Sequence, residues 1–272
     1  MYMSSWIQYT QDKTLSYKQL YCKTTTSGFG SNFFNFFMCY LYAKSKNKIL
    51  YLNDMKNSIS DKYHLILDTF NESPNIRFTL NNGRTIQQQE PVELNKFYQS
   101  LDTDFLKSEA KKIFKIKPEL DSKIRLLLKD LPQFDMCVHI RTGDKITTGE
   151  MRPVKLESYT SEILVIQEKY SLPKIYIYLM TDSTDVIKKF KEAAHSSWSV
   201  YTLALPIIGS NGHIQKDFNA QPVVVKMDAF IHFLAELKIA QTCPYVVCTF
   251  SSNIGRFIKY TGDYVEIKSL DS

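Results

Sequence analysis

The feature that most constrains this chain is a regular alternation, from residue 134 onwards, of short apolar runs with longer runs of helical period. The short runs are rich in β-branched and aromatic residues, which favour strands, whereas the longer runs repeat apolar residues every three or four positions. The predicted strands are 134–140, 174–180, 199–205, 245–249 and 264–267, and the predicted helices are 153–170, 183–195, 227–242 and 252–260. This alternation predicts an α/β fold with a doubly wound parallel sheet.

The first part of the chain predicts a smaller version of the same pattern. Its predicted elements, in chain order, are a strand at 17–23, a turn with two glycines at 24–31, a helix, a strand at 48–52, and helices at 103–116 and 120–130. Residues 55–100 predict loops and short elements. We therefore predict two Rossmann-type lobes, 1–131 and 132–272, with parallel sheets that face each other across a cleft.

Composition excludes several classes of protein. Of the 272 residues, 44% are hydrophobic and 23% are charged, which is typical of a globular protein and not of a disordered or coiled-coil chain. The longest apolar stretch, 29–43, contains Ser31, Asn32 and Asn35 and is too short and too polar to span a bilayer. The first ten residues lack the basic and apolar regions of a secretory signal, so we expect a cytoplasmic protein without a membrane span.

Charge and cysteine content narrow the choice further. The net charge of +6 is a weak basic excess, and the densest basic run, 107–117, fits the solvated face of a helix. We therefore expect no nucleic-acid partner. The five cysteines have no C-x-x-C spacing, which argues against a zinc ribbon or a dense disulfide framework and favours free, buried thiols in a reducing compartment.

Polar residues follow three of the predicted strands in the second half of the chain. Arg141 comes directly after the first of these strands, and Asp182 follows the second. The residues at the end of the third strand and the start of the next helix are Thr249, Phe250, Ser251, Ser252 and Asn253, with Arg256 one turn further on. Because ligands bind at the carboxyl ends of the strands in an open parallel sheet, these side chains predict one binding site.

These residue types favour the binding of an anion. The planar guanidinium of Arg141 can hold a phosphate through paired hydrogen bonds, and Ser251 and Ser252 at a helix N-terminus can form a phosphate cradle. His139 alternates with buried neighbours and is expected to face the polar site, while Gly143 allows a sharp turn after the strand. Two ordinary alternatives stay open, namely an N-cap for the serines and a surface ion pair for the arginine.

Other motifs are weaker. The segment GFGSNF lacks the third glycine of a dinucleotide fingerprint, because Phe33 occupies that position, so an NAD enzyme is disfavoured. The D-x-D motif at 102–104 precedes a helical run, which favours N-capping over a metal site. The remaining histidines, His213 among them, show no ligand spacing, and the segment 207–222 fits the rim of a ligand site as well as it fits a plain surface loop.

Two segments, CVHIRTGDK and YVVCTFSSNIGR, resemble the α1,6-fucosyltransferases and the wider fucosyltransferase superfamily, which includes nodulation and protein O-fucosyltransferases. LMTDS resembles the acid motif between them, and the segment 28–54 resembles the family's N-terminal glycine turn, helix and second strand. The resemblance implies a GT-B-like enzyme that needs no metal or other cofactor. Its substrates would be a nucleotide-sugar donor, with GDP-fucose favoured, and an oligosaccharide or glycoprotein acceptor, and the sugar carbon would be inverted.

The resemblance also implies roles for individual residues, carried over by position. Arg141 would hold the β-phosphate of the donor, His139 would lie beside the donor, and Glu236 would contact the base. Asp182 and residues 249–253 would line the nucleotide pocket. The donor would be approached from the first lobe by Gly28, Gly30 and Asn32.

Two positions depart from the α1,6 enzymes. Thr142 stands where they have a second arginine, so another donor such as UDP-xylose is an alternative. Their acid aligns with Gly149, so we expect the acceptor proton to pass to Glu150 or Asp144, with Lys145 orienting the acid or the phosphate. A module that binds a nucleotide or glycan without catalysis is a further alternative.

Overall fold

The structure is a computed structural model that describes residues 19–23, 28–53, 76–79, 96–203 and 212–271. It divides into two compact units, Met1–Pro118 and Glu119–Ser272. The helix expected at 120–130 therefore belongs to the second unit, whereas the sequence-based boundary placed it in the first lobe. The cleft expected between two lobes stays a prediction.

The first unit contains a parallel sheet of three strands in the order β1-β2-β3, counted over the described residues. Its elements are β1 (Gln19–Lys23), α1 (Phe29–Ser45), β2 (Ile49–Asn53), β3 (Ile76–Thr79) and α2 (Thr103–Ile113). The parallel pairing of β1 and β2 around α1 confirms the strand, helix, strand pattern that the sequence predicts. Most of the turn expected at 24–31 lies outside the described residues.

Helix α1 is buried on nearly every side, which is typical of a helix without a polar face. Gly28 is its N-cap in an extended conformation, and the helix begins at Phe29. The prediction that Gly30 belongs to the turn is therefore wrong, because Gly30 lies in the first helical turn and is buried. The ring of Phe33 stacks on that of Phe37 at a centroid distance of 5.9 Å and meets Phe114 edge-on at 5.9 Å. These contacts place α1 in the core of the first unit.

The second unit begins within helix α3 and carries the larger sheet. Its helices are α3 (Pro118–Leu128), α4 (Asp144–Thr147), α5 (Leu156–Lys169), α6 (Thr184–Glu192), α7 (Gln215–Ala220), α8 (Val223–Thr242) and α9 (Asn253–Thr261). Its strands are β4 (Met136–Ile140), β5 (Ile175–Thr181), β6 (Trp198–Tyr201), β7 (Tyr245–Cys248) and β8 (Glu266–Ser269). Every strand that the sequence predicts in this half is present, with ends shifted by a few residues.

The sheet of the second unit is wholly parallel and has the order β6-β5-β4-β7-β8. One face packs on α5 and α6 through buried side chains such as Ile163 and Phe190. On the other face, Tyr178 forms a hydrogen bond with Glu236 on α8. Helices on both faces confirm the predicted doubly wound α/β sheet. The chain leaves β4 first toward β5 and later returns to β7, so the topological switch point, where such sheets bind ligands, lies between β4 and β7.

The structure also bears on the predictions for the D-x-D motif, the cysteines and a membrane span. Asp102 is the N-cap of α2, with its Oδ1 accepting from the N–H groups of Asp104 at 2.8 Å and Phe105 at 3.1 Å, so the N-cap interpretation of the D-x-D motif is confirmed. The five cysteines are free and buried. None of the helices in the described part of the chain is long and apolar enough to cross a membrane. The cytoplasmic location stays a prediction.

Candidate functional site

The carboxyl ends of β4 and β5 bring Arg141 and Asp182 together. Ile140 and Thr181, the last residues of the two strands, are register partners, so the residues that follow them leave the sheet side by side. An Nη1–H group of Arg141 donates to Asp182 Oδ2, and an Nη2–H group donates to Asp144 Oδ1 at 2.8 Å. We call Arg141, Asp144 and Asp182 the Arg141 edge. The arginine side chain is only 16% exposed, so its guanidinium has a defined orientation.

Asp182 organises this edge through both of its carboxylate oxygens. Oδ1 accepts from the backbone N–H of Thr142 at 2.9 Å and from its Oγ1 at 2.8 Å, and Oδ2 accepts from the N–H of His213 at 3.0 Å. Burial alone would raise the pKa of Asp182, but the Arg141 charge and these hydrogen bonds hold it below its usual range. Asp182 is therefore an ionised hub, and the next residue, Ser183, provides the N-cap of α6.

Two glycines allow the segment 212–215 to lie against the turn after β4. Gly143 and Gly212 have φ angles of +70° and +89°, which favour glycine. A Cβ atom at Gly143 would collide with the backbone of His213, and one at Gly212 would collide with Thr142. The segment 207–222, for which the sequence left two interpretations open, therefore lines the Arg141 edge in its described part.

Asp144 lies between Arg141 and this segment. Its Oδ2 accepts from the N–H of Gln215 at 3.1 Å, and its own N–H donates to the carbonyl of His213 at 3.1 Å. Lys145 forms an ion pair with Glu150. The expected role of Lys145, to orient the acid or the phosphate, stays a prediction. The Glu150 side chain is 51% exposed, and besides Lys145 it contacts Thr148, whose Oγ1 donates to Glu150 Oε1 at 3.3 Å.

A second polar edge follows β7 and β8. The N–H of Phe250 donates to Asp271 Oδ1 at 2.8 Å and to the Oγ of Ser269 at 2.9 Å. The N–H of Ser251 donates to Asp271 Oδ2 at 3.2 Å, and the Ser251 hydroxyl donates to the same oxygen. We call Phe250, Ser251, Ser269 and Asp271 the Ser251 edge. Its N–H groups, which the sequence predicts as a phosphate cradle, bind a carboxylate of the chain itself.

The hydrogen bonds of the Ser251 edge keep Asp271 ionised. Burial opposes this, but donors from Ser251, Ser269 and the backbone lower the pKa of Asp271 below its ordinary value. Ser252 is the N-cap of α9, with its Oγ accepting from the N–H of Ile254 at 3.3 Å. The serines therefore make the contacts of a carboxylate clasp and an N-cap, the second of which is the ordinary alternative that the sequence left open.

The neighbouring residues of this segment have local partners. An Nη2–H group of Arg256 donates to Asn253 Oδ1. The Lys259 Nζ atom lies 4.7 Å from the centroid of the Phe250 ring, a cation–π distance. Thr249 is buried at the end of β7. The first two pairs, Arg256 with Asn253 and Lys259 with Phe250, therefore link residues at the start of α9 to one another or to the preceding turn.

His139 is more deeply buried than the sequence suggests. It is 4% exposed, and its Nδ1 atom has no hydrogen-bond partner among the described residues. Burial lowers the pKa of His139 to about 4, and the Arg141 charge acts in the same direction although Asp182 opposes it. The imidazole is therefore neutral at pH 7, and it lies inside the sheet layer just before the Arg141 edge.

Glu236 forms a buried pair with Tyr178. The phenol O–H donates to Glu236 Oε1 at 2.9 Å, and the phenol oxygen accepts from the N–H of Leu203 at 3.3 Å. Burial raises the pKa of Glu236 to about 8, with a smaller contribution from the Asp182 charge, while the Tyr178 hydrogen bond acts against it. The carboxyl group is therefore largely protonated at neutral pH, and it lies under the sheet on α8.

The remaining predicted site residues, Gly28, Gly30 and Asn32, belong to the first unit. Gly28 caps α1, and the other two residues are buried within it. Sequence reasoning missed His213, Gln215 and Asp271, whose partners lie far away in the chain. For His213 and Gln215, the sequence offered one signal, the preceding Gly212, because glycine is rare in this chain. In the described part of the chain, no group of three or more His, Cys, Asp or Glu side chains is placed to hold a metal ion.

Comparison with solved structures finds the same fold in fucosyltransferases. NodZ α-1,6-fucosyltransferase soaked with GDP-fucose matches with a TM-score of 0.56 and 11% identity over 90% of this chain and 92% of its own. NodZ from Bradyrhizobium matches with a TM-score of 0.57 and 12% identity over 93% and 96%. An arginine-to-lysine mutant of Arabidopsis thaliana FUT1 in complex with GDP matches with a TM-score of 0.51 and 11% identity over 95% and 71%. No protein-family model and no curated protein sequence matches this chain.

Proposed function

We propose that this protein is a glycosyltransferase that moves fucose from GDP-fucose to a hydroxyl of an oligosaccharide or glycoprotein, with inversion at the sugar carbon and without a metal ion. The observation that carries the proposal is the position of Arg141, at the carboxyl end of β4 beside the switch point of the sheet. Supporting it is the fold that the chain shares with NodZ proteins soaked with GDP-fucose or co-crystallised with GDP.

Arg141 can stabilise the charge that develops on the leaving diphosphate. Its contacts with Asp144 and Asp182 leave guanidinium N–H groups without a partner in the described residues. Because the two carboxylates orient the guanidinium before the donor arrives, little reorganisation is needed during the reaction. Preorganised donors of this kind typically contribute about 10²–10³ in rate each.

A second donor, UDP-xylose, stays a candidate because of Thr142. Its hydroxyl and N–H group both bind Asp182, so this position supplies no second cation for a diphosphate. A module that holds a nucleotide or glycan without catalysis is the candidate from another class. It would bind the donor without releasing nucleotide when an acceptor is added.

Calorimetric titration of the protein with GDP, UDP, GDP-fucose, UDP-xylose and NAD, with and without EDTA, tests the proposal. We expect GDP and GDP-fucose to bind, UDP and UDP-xylose to bind at least about tenfold more weakly, and EDTA to have no effect. Selective binding of UDP would overturn the donor, and loss of GDP binding in EDTA would overturn metal independence. Binding of none of the five would overturn the proposed function itself.

A further inference from the structure

The carboxylates that the sequence offers as catalytic bases are committed to other contacts. Both oxygens of Asp144 are used, one by the Arg141 guanidinium at 2.8 Å and the other by the N–H of Gln215 at 3.1 Å. A proton on Asp144 would weaken the ion pair that orients Arg141. Glu150 is half exposed and paired with Lys145. A base for the acceptor hydroxyl must therefore come from another residue next to the Arg141 edge.

His213 lies against the Arg141 edge and is held there by its backbone. Its N–H donates to Asp182 at 3.0 Å, and its carbonyl accepts from the N–H of Asp144 at 3.1 Å. The same two aspartates orient Arg141, so one hydrogen-bond network positions both the imidazole and the guanidinium. The ring of His213 also lies 5.4 Å, centroid to centroid, from the ring of Phe218 on α7.

The hydrogen bonds of Gln215 determine which nitrogen of His213 carries the hydrogen. Gln215 Nε2 donates to Asn219 Oδ1 at 2.9 Å, which turns Gln215 Oε1 toward the imidazole. That oxygen lies 3.3 Å from His213 Nε2. Because an amide oxygen can only accept, Nε2 carries the hydrogen and Nδ1 carries the lone pair. Nδ1 has no hydrogen-bond partner among the residues that the structure describes.

The surroundings keep this imidazole in its basic form. The charged groups that act on it are Arg141, Asp144 and Asp182, and Gln215 and Phe218 cover it from α7. Burial and the Arg141 charge lower the pKa of His213, and they outweigh the opposite effects of Gln215 and the two aspartates. At neutral pH the imidazole is therefore able to accept a proton.

We propose that His213 is the catalytic base of this site and that its Nδ1 accepts the proton of the acceptor hydroxyl. This inference rests on the proposed glycosyltransferase function. As the acceptor O–H bond breaks, its proton moves to Nδ1 and its oxygen forms the new bond to the sugar carbon. The bond from that carbon to the diphosphate breaks at the same time, and its electron pair leaves with the nucleoside diphosphate beside Arg141.

Release of GDP from GDP-fucose, with water and with a panel of glycans as acceptors, tests the role of His213. We expect His213→Gln to lower kcat by about 100-fold or more and to leave the Kd for GDP within about twofold. His195→Gln, the same change at an exposed histidine just before β6, where the strands begin rather than end, should leave kcat unchanged. Glu150→Gln tests the rival base. A kcat of His213→Gln within about threefold of wild type, or a larger loss in Glu150→Gln, would overturn the proposal.

Two further measurements separate catalysis from structure. The kcat of the wild type should rise with pH up to a plateau, with a midpoint below the ordinary histidine value of about 6.5, and His213→Gln should lack this rise. Nitrogen-15 NMR should show the neutral Nε2–H tautomer of His213 at pH 7, and an Nδ1–H tautomer would overturn the assignment. If the wild type binds GDP but releases none from GDP-fucose with any acceptor, the transferase function fails, and the inference fails with it.

Discussion

The Arg141 edge and the Ser251 edge arise from the same kind of sequence signal, polar residues directly after a buried strand, yet they differ in what they leave available to a ligand. At the Arg141 edge, two carboxylates hold a cation whose other N–H groups have no partner in the described residues. At the Ser251 edge, a carboxylate takes the backbone N–H groups of Phe250 and Ser251. The first edge is therefore equipped to bind an anion, whereas the second already holds one.

This difference teaches that donors at a strand end are not by themselves a binding site. What decides is whether the folded chain supplies its own acceptor. Asp271, twenty residues from Ser251, does so at one edge. At the other edge the internal acceptors, Asp144 and Asp182, bind only part of the guanidinium.

Removal of the cation should have the largest effect. We expect Arg141→Gln to weaken GDP binding by about 100-fold or more, because the charge-assisted hydrogen bonds to phosphate are lost. Isothermal titration calorimetry measures this change, and Arg125→Gln, at an exposed arginine paired with Asp121, is the matched control. If a folded Arg141→Gln protein kept its GDP affinity within about threefold, the Arg141 edge would not be the anion-binding one of the two.

Removal of the hub of the Arg141 edge should mainly lower stability. Asp182→Asn replaces a partly buried carboxylate that binds Arg141, Thr142 and His213, so we expect the free energy of unfolding to fall by about 3 kcal/mol. Urea unfolding measures the loss. Asp185→Asn, at an exposed position one turn further on, should cost about 0.5 kcal/mol. Equal losses in the two variants would show that Asp182 does not organise this edge.

The corresponding change at the Ser251 edge should be smaller and should not alter nucleotide binding. Asp271→Asn keeps the shape of the side chain but loses its charge, so we expect a loss of about 1 kcal/mol in the free energy of unfolding. The Kd for GDP should stay within about twofold, because the N–H groups of this edge are already bonded within the chain. GDP binding that tightens more than about fivefold would instead identify a phosphate site that Asp271 blocks. Asp130→Asn, at an exposed aspartate, is the control.

The smallest effect concerns pH. The pKa of Asp271 is lowered in the folded protein from its ordinary value of 3.8, so its stabilising contribution is present above that value and is lost as the pH falls through the folded one. The difference in unfolding free energy between wild type and Asp271→Asn should therefore be full at pH 7 and should shrink as the pH falls below 3.8. A difference that persists unchanged in acid would mean that the carboxylate charge does not hold the Ser251 edge.

Much of the fold could be predicted because its signals are local. The alternation of apolar runs predicts each strand of the second sheet, and Asp102 is recognised as an N-cap from the few residues that follow it. The burial of α1 on nearly every side was harder to predict, since helical spacing indicates one apolar face and not how many neighbours cover the others. Element ends shifted by a few residues because terminal turns depend on contacts with the rest of the chain.

The sequence by itself determined which residues stand at the carboxyl ends of the strands, because strand and helix periods depend on neighbours in the chain. It therefore placed Arg141, Asp182 and the serines at one end of a parallel sheet. Only the tertiary structure decided how they are paired. His213 meets Asp182 across 31 positions, and Asp271 meets Ser251 across 20. Such contacts depend on chain paths and on close approaches such as that at Gly143, which no local pattern encodes.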